Sequence, residues 1–234
     1  VSERVVLITG ASGNLGGAVA RAFAQAGERV ALSSRRAEEL EALAGELGGS
    51  GRALAHAADV TEPGEVDALI AAVREHYGRI DVLVNLAGTY QGGKPAHETD
   101  LAQWDLLMNL NARSVWLLCR GVLPAMLAQG SGKIVSVAAR AGQQAGKGAA
   151  AYAASKAAVI RVTESVALDV RDRGINVNCV LPATIDTPQN RAQMPSADPR
   201  RWVQPEDIAA VIRFLASDEA RAIHGAAIPV YGLG

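Results

Sequence analysis

"RVVLITGASGNLGG", Arg4 to Gly17, decides how the rest of the chain is read. Its first half is a short β-branched and apolar run, the pattern of a strand covered on both faces. Its second half sets Gly10, Gly13 and Gly16 at three-residue intervals and opens the amphipathic segment Asn14–Ala26. A tight turn needs backbone tolerant of positive φ, and a pyrophosphate needs backbone free of Cβ. Close helix–strand packing needs a third small residue. The start of the helix then offers unpaired N–H groups to the phosphates. Glycines alone would mark only a turn; a strand before and a helix after supply the context a dinucleotide site requires.

The same alternation continues outward from this stretch. Arg4–Thr9, Arg29–Ser33, Arg52–Ala57, Asp81–Asn85, Lys133–Val137, Ile175–Leu181 and Ala227–Val230 read as seven strands. Helical patterns lie between them at Asn14–Ala26, Arg36–Leu47, Glu62–Tyr77, Leu101–Leu127 (two helices or one bent one), Ala150–Arg171 and Pro205–Ser217. Strands alternating with helices through short connections predict an α/β fold. Its sheet is a Rossmann-type, doubly wound parallel sheet of about seven strands with helices on both faces. Residues 1–234 read as a single domain, without repeats or interdomain linkers. One segment breaks the rhythm: Pro182 to Val203 holds four prolines and little periodicity, so 182–203 is expected to be a substrate loop or lid.

Composition narrows the function classes. Nearly half of the 234 residues are apolar, only 4% are aromatic and 24 are glycine, which suits helices packed closely on a sheet. The net charge of −1, with acids and bases interspersed, implies no broad basic face for nucleic acid. No apolar run is long enough to span a bilayer. Cys119 and Cys179 have no metal-ligand spacing and read as buried free thiols, so no metal site is expected. The chain begins at Val1 rather than Met, consistent with loss of a short leader, and is read as a cytoplasmic protein.

Coenzyme selectivity should be set in "VALSSRR", Val30–Arg36, where the second strand ends. A site for NAD would place an acid there to hold the ribose hydroxyls. This chain instead has Ser34, Arg35 and Arg36, which suit a 2′-phosphate, so NADP(H) is favoured over NAD(H). The plainer alternative makes both arginines a solvated start to the next helix.

Gly10–Gly16, "ADV" (Ala58–Val60), "NLAG" (Asn85–Gly88), Asn111 and the pair Tyr152 and Lys156 together resemble the short-chain dehydrogenase/reductase family over essentially the whole chain. The resemblance implies that Gly10, Ser12, Asn14, Leu15 and Gly16 hold the coenzyme phosphates, with Ser34 and Arg35 at its ribose. It further implies that Asp59 and Val60 meet the adenine and that Asn85, Ala87 and Gly88 steady the sheet and border the ribose. The loop at Pro182, Ile185 and Thr187 would close on the nicotinamide. Asn14 stands where the commonest pattern has glycine, and Ala183 replaces the glycine usual after Pro182.

Tyr152 and Lys156 are four residues apart on one helix and share a face. A neighbouring ammonium stabilises phenolate, so the tyrosine pKa is expected to fall from about 10 towards neutrality. Tyr152 can then exchange a proton with a substrate atom that gains or loses hydride. The resemblance adds that Lys156 holds the nicotinamide ribose and that Asn111 positions a relay water.

The family's usual serine, thirteen residues before the tyrosine, is absent: that position is Ala139, and Ala138 precedes it. Ser136 lies within the strand, on the opposite face. Loss of one such donor typically costs about 10²–10³ in rate. A ketone reductase would need Gln143, Thr89 or Tyr90 in its place. The dihydropteridine reductase branch also carries alanine there, and its loop is similar to "LPATIDTPQNRAQMPSADPRRW" (Leu181–Trp202), as is its loop after the fourth strand to "LAGTYQGG" (Leu86–Gly93). The leading expectation is therefore reduction of a pterin-like or other pre-activated C=N or quinonoid small molecule. The alternatives are a carbonyl reductase or alcohol dehydrogenase and a weakly catalytic NADP(H) sensor. The resemblance also implies a homodimer or homotetramer.

Overall fold

The structure, a computed structural model, describes residues 4–233. Residues 1–3 and 234, which the single-domain reading included, lie outside the described residues. Seven strands form one sheet in which every pairing is parallel: β1 (Val5–Thr9), β2 (Arg29–Ser34), β3 (Ala53–Ala57), β4 (Val82–Asn85), β5 (Gly132–Val137), β6 (Ile175–Pro182) and β7 (Ala227–Val230). Their order across the sheet is β3-β2-β1-β4-β5-β6-β7. The order therefore reverses between β1 and β4, which is where open α/β sheets leave a crevice at the strand ends.

Alternation along β1 divides the core. Val5 and Leu7 enter one apolar cluster, while Val6 and Ile8 enter the other, and all four are fully buried. The first cluster is closed by α3 (Pro63–Tyr77), α5 (Ser114–Gln129) and α6 (Ala150–Val170). The second is closed by α1 (Asn14–Gln25), α2 (Ala37–Glu46) and α8 (Pro205–Leu215). Burial on both faces explains why the inner strands read as apolar runs, while the edge strands β3 and β7 are only partly buried. Pro205 stands at the start of α8, where its missing N–H costs nothing.

Two segments depart from the expectation. The helical pattern at 101–127 is α4 (Leu101–Leu107), a six-residue π-helical turn (Met108–Arg113) and α5, stacked end to end. The 182–203 segment is not a bare loop. It contains a short helix, α7 (Pro188–Gln193), capped by the Thr187 hydroxyl, and a bridge between Ile185 and Val203 closes its base. Asp186 binds Arg191 bidentately at 2.6 and 2.7 Å and accepts from Gln204, which braces the segment from inside. Those partners hold the Asp186 carboxyl well below the usual carboxylate range.

Candidate active site

A cleft of about 290 Å³ opens at the C-terminal ends of β1, β4, β5 and β6. Its walls run from the glycine turn (Gly10, Gly13, Asn14, Leu15, Gly16) to Tyr152 and Lys156, and on to Pro182, Ala183, Ile185, Thr187, Gln189 and Asn190. One continuous cavity therefore joins the turn to the Tyr–Lys pair.

The turn is shaped by what its glycines lack. Gly10 has φ +69, and a Cβ there would lie 2.7 Å from the Ala87 backbone nitrogen. A Cβ on Gly16 would run into the Gly10 carbonyl. The β1 turn, the start of α1 and the loop after β4 thus touch backbone to backbone. Gly13 leads into α1 without a side-chain cap, so the first N–H groups of the helix face the cleft unclaimed. This bare, electropositive cradle fits a dinucleotide pyrophosphate.

At the rim beyond β2, Ser12 Oγ donates to Ser34 Oγ at 2.9 Å. The guanidinium that meets them is Arg36, which donates to the Ser12 carbonyl and hydroxyl at 3.1 Å each. Arg36 also pairs with Glu39 at 2.8 Å. Arg35, expected in that role, lies instead within electrostatic reach of Asp59. Burial pushes the Asp59 carboxyl up, but hydrogen bonds from Thr61 and the Arg35 charge outweigh it and hold it below its ordinary value. Val60 is buried in the core, and Asn85 is buried with its amide donating to Ser136 Oγ at 3.0 Å. Ser12, Ser34, Arg35, Asp59, Val60, Asn85, Ala87 and Asn111 do not line the cleft itself.

Tyr152 and Lys156 both face the cleft from α6. Lys156 is 5% exposed, and its ammonium donates to the Val137 carbonyl at 2.9 Å. Burial lowers its pKa to about 8. Tyr152 does not show the depressed pKa expected from the sequence: it is pushed up to about 12, first by burial and then by neighbouring Tyr90. The desolvation of a half-enclosed phenol outweighs any help from an ammonium committed to Val137. Gly88 lies close to Lys156 and to Asn111. A Cβ there would lie 3.0 Å from Asn111 Oδ1 and 3.3 Å from Lys156 Nζ.

Asn111 sits in the π turn, fully buried. Its Nδ2 donates to the Thr89 carbonyl at 3.0 Å and to Ser155 Oγ at 2.9 Å, while its Oδ1 accepts from Thr89 N at 2.8 Å. Ser155 Oγ in turn donates to the Tyr152 carbonyl at 2.8 Å. Asn111 thus ties the loop after β4 to the helix bearing Tyr152. Both of its amide protons are spent on protein, which leaves Oδ1 and the backbone carbonyl as the only acceptors it has for water.

At the position where the resemblance implies a serine, the residues lining the cleft are Ala138 and Ala139. Ser136 faces Asn85 and cannot substitute. Gln143 does not line the cleft, and its Oε1 accepts from the Tyr231 hydroxyl at 3.2 Å. Thr89 and Tyr90 do line it, with Gln189 and Asn190 from α7. The two α7 residues were not expected; a six-residue helix inside a proline-rich segment leaves no periodic signal. Among the described residues no group of His, Cys, Asp and Glu could hold a metal ion, and no helix is long and apolar enough to cross a membrane.

Comparison with known proteins identifies the family of the chain. The pattern of the family described as short chain dehydrogenase matches residues 4–197. The chain is 39% identical to 2-(R)-hydroxypropyl-CoM dehydrogenase of Xanthobacter autotrophicus, covering 98% of each chain. It is 37% identical to D-threitol dehydrogenase of Mycolicibacterium smegmatis, over 98% of this chain and 92% of that one. The crystal structure of an actinorhodin polyketide ketoreductase variant with NADPH superposes with a TM-score of 0.91 at 33% identity, covering 99% of this chain and 97% of that one. None of these three is a pterin reductase by name. The chain belongs to the short-chain dehydrogenase family and is an NAD(P)-dependent oxidoreductase of that type.

Proposed function

We propose that this chain interconverts a secondary alcohol and a ketone, preferring NADP(H), and that its best substrates are carbonyls activated by a neighbouring group, such as vicinal diketones. The observation that carries the reading is the single cleft that holds the glycine cradle, Tyr152 and Lys156, and an apolar wall at Ala139. The dehydrogenase and ketoreductase names of the relatives favour an alcohol–carbonyl couple over a C=N acceptor.

A bound nicotinamide coenzyme would supply or accept the hydride. Gly10, Asn14, Leu15 and Gly16 would hold its phosphates on free backbone N–H groups, with Pro182, Ile185 and Thr187 towards its far end. Arg36, with Ser12 and Ser34, offers a 2′-phosphate two hydroxyls and a guanidinium, which supports the NADP(H) preference. At neutral pH Tyr152 keeps its proton and donates it to the substrate oxygen as that oxygen gains charge. Lys156, charged below about pH 8, stabilises the phenolate that results. Asn111 fixes the loop and helix on either side of the phenol. With alanine at 139, Tyr152 is the principal donor to the substrate oxygen, so an electrophilic carbonyl is favoured.

A second reading, a quinonoid dihydropterin or similar acceptor, is favoured by one observation: Ala139 removes the donor that an unactivated carbonyl needs. NADPH and NADH oxidation with vicinal diketones, simple ketones and quinonoid dihydropterin separates the two. The expected result is diketone reduction that falls about 10²–10⁴-fold in Tyr152→Phe. In Ala139→Ser the simple ketones should improve about tenfold or more. Turnover of the pterin alone, unchanged by Ala139→Ser, would install the second reading.

Two further properties are proposed here. Leu101, Trp104, Leu106 and Trp116 leave apolar surface exposed on α4 and α5, which supports a homodimer or homotetramer. Two buried, unpaired thiols support a cytoplasmic setting.

A further inference from the structure

Tyr90 is the most exposed aromatic side chain among the described residues, 60% accessible, yet its backbone is held on both sides. Thr89 makes two hydrogen bonds to the buried Asn111, and Gly93 N donates to the Gly148 carbonyl at 2.9 Å. The ring stands perpendicular to that of Tyr152, with centroids 4.9 Å apart. An exposed aromatic fixed against the catalytic phenol is a surface waiting for an apolar partner.

The next glycine explains how the ring lies. A Cβ on Gly92 would sit 2.5 Å from the Tyr90 hydroxyl oxygen and 2.8 Å from its Cζ. The phenol oxygen is therefore laid over Gly92, along the loop, and makes no hydrogen bond to any described residue. Tyr90 lines the same cleft as Ala138 and Ala139, and with its oxygen turned over Gly92 it offers that cleft its ring. The position where the resemblance implies a serine and the face of Tyr90 thus belong to one cavity.

We propose that Tyr90 is a specificity-determining residue: its ring and the Ala138–Ala139 methyls select substrates with a flat, apolar group next to the reacting carbonyl carbon. This deepens the carbonyl reading and rests on it. The missing serine and the fixed tyrosine then serve one end, because a serine hydroxyl in that wall would have to be desolvated against the flat group. Part of the binding energy of that group is realised by covering a ring that water otherwise covers.

The test compares 1-phenyl-1,2-propanedione with 2,3-butanedione, which share the reacting unit and differ in the phenyl group. The readout is the ratio of their kcat/KM values with NADPH. The ratio should fall about 10–100-fold in Tyr90→Ala, in line with what an apolar pocket group contributes to discrimination. Tyr90→Phe should retain the preference. Gly92→Ala, which displaces the ring without removing it, should lower the ratio several-fold. NADPH affinity and the thermal midpoint of each variant report that the fold is intact. A fall in Tyr90→Phe as large as in Tyr90→Ala would overturn the proposal, since the hydroxyl would then be the working group. An unchanged ratio in Tyr90→Ala would also overturn it. If the wild type reduces neither diketone, the carbonyl reading fails, and the wall is judged by saturation-transfer NMR of 1-phenyl-1,2-propanedione with NADP⁺ present. Signal in the wild type and Tyr90→Phe but not in Tyr90→Ala sustains the proposal; equal signal in all three removes it.

Discussion

At the coenzyme end of the cleft the chain withholds side chains, whereas at the substrate end it supplies them. Gly10 and Gly16 bring backbone onto backbone, leaving no room for a methyl group. Tyr152, Lys156, Tyr90, Ala139 and Gln189 face the other end with groups of varied size and polarity. The first surface, where the proposed function puts the coenzyme diphosphate, tolerates no addition. The second has room for substitution, and there the wall at 138 and 139 is alanine. Rigid backbone recognition and adjustable side-chain recognition thus share one cavity.

The difference can be attacked at its stiffest point first. Gly16→Ala forces a methyl group into the Gly10 carbonyl. It should cost about 1–3 kcal/mol of stability and weaken NADPH binding about 10–100-fold. Thermal denaturation and fluorescence titration check both, and affinity within twofold of wild type would show that the cradle yields.

A smaller effect is expected from pH. Lys156 has its pKa lowered to about 8 by burial, whereas Tyr152 lies near 12. The group that loses its proton first as pH rises is therefore the lysine. In the reductive direction kcat/KM should fall about tenfold per pH unit above pH 8, with no matching limb from tyrosine ionisation below pH 10. A profile flat to pH 10 would show that charge on Lys156 is not needed.

The smallest change tests the rim of the coenzyme end, where side chains do enter. Arg36→Ala removes the guanidinium at Ser12 and should lower the NADPH-to-NADH preference about five- to tenfold, the net scale of one hydrogen bond at an exposed rim. The same substitution at Arg35 should move the ratio less, since that side chain lies towards Asp59. Equal effects would return Arg35 to the role read for it from the sequence.

The inner strands were legible as apolar runs, because parallel strands buried on both faces write their burial into consecutive residues, whereas the edge strands β3 and β7 are only partly buried. The glycine turn was legible because backbone contact demands glycine at fixed places. The π turn was not: one extra residue among 29 hardly disturbs a helical period. Nor could adjacent arginines be told apart, since which of them turns towards Ser12 depends on the start of α2. The tyrosine pKa was misjudged in sign because spacing reports a neighbouring charge but not the burial that opposes it. That Lys156 faces the same cleft as Tyr152 follows from their spacing, while its hydrogen bond to Val137 belongs to the tertiary fold alone.

The π turn has one more effect, on how this chain can change. The wide turn takes up one more residue than an α-helical turn would, so deleting one residue from 108–113 would close it to α-helix and leave α5 in phase. The face of α5 that carries Val115, Leu118 and Val122 into the core would stay where it is, while Asn111 would lose its place between Thr89 and Ser155. The core therefore does not depend on the wide turn, and the site does.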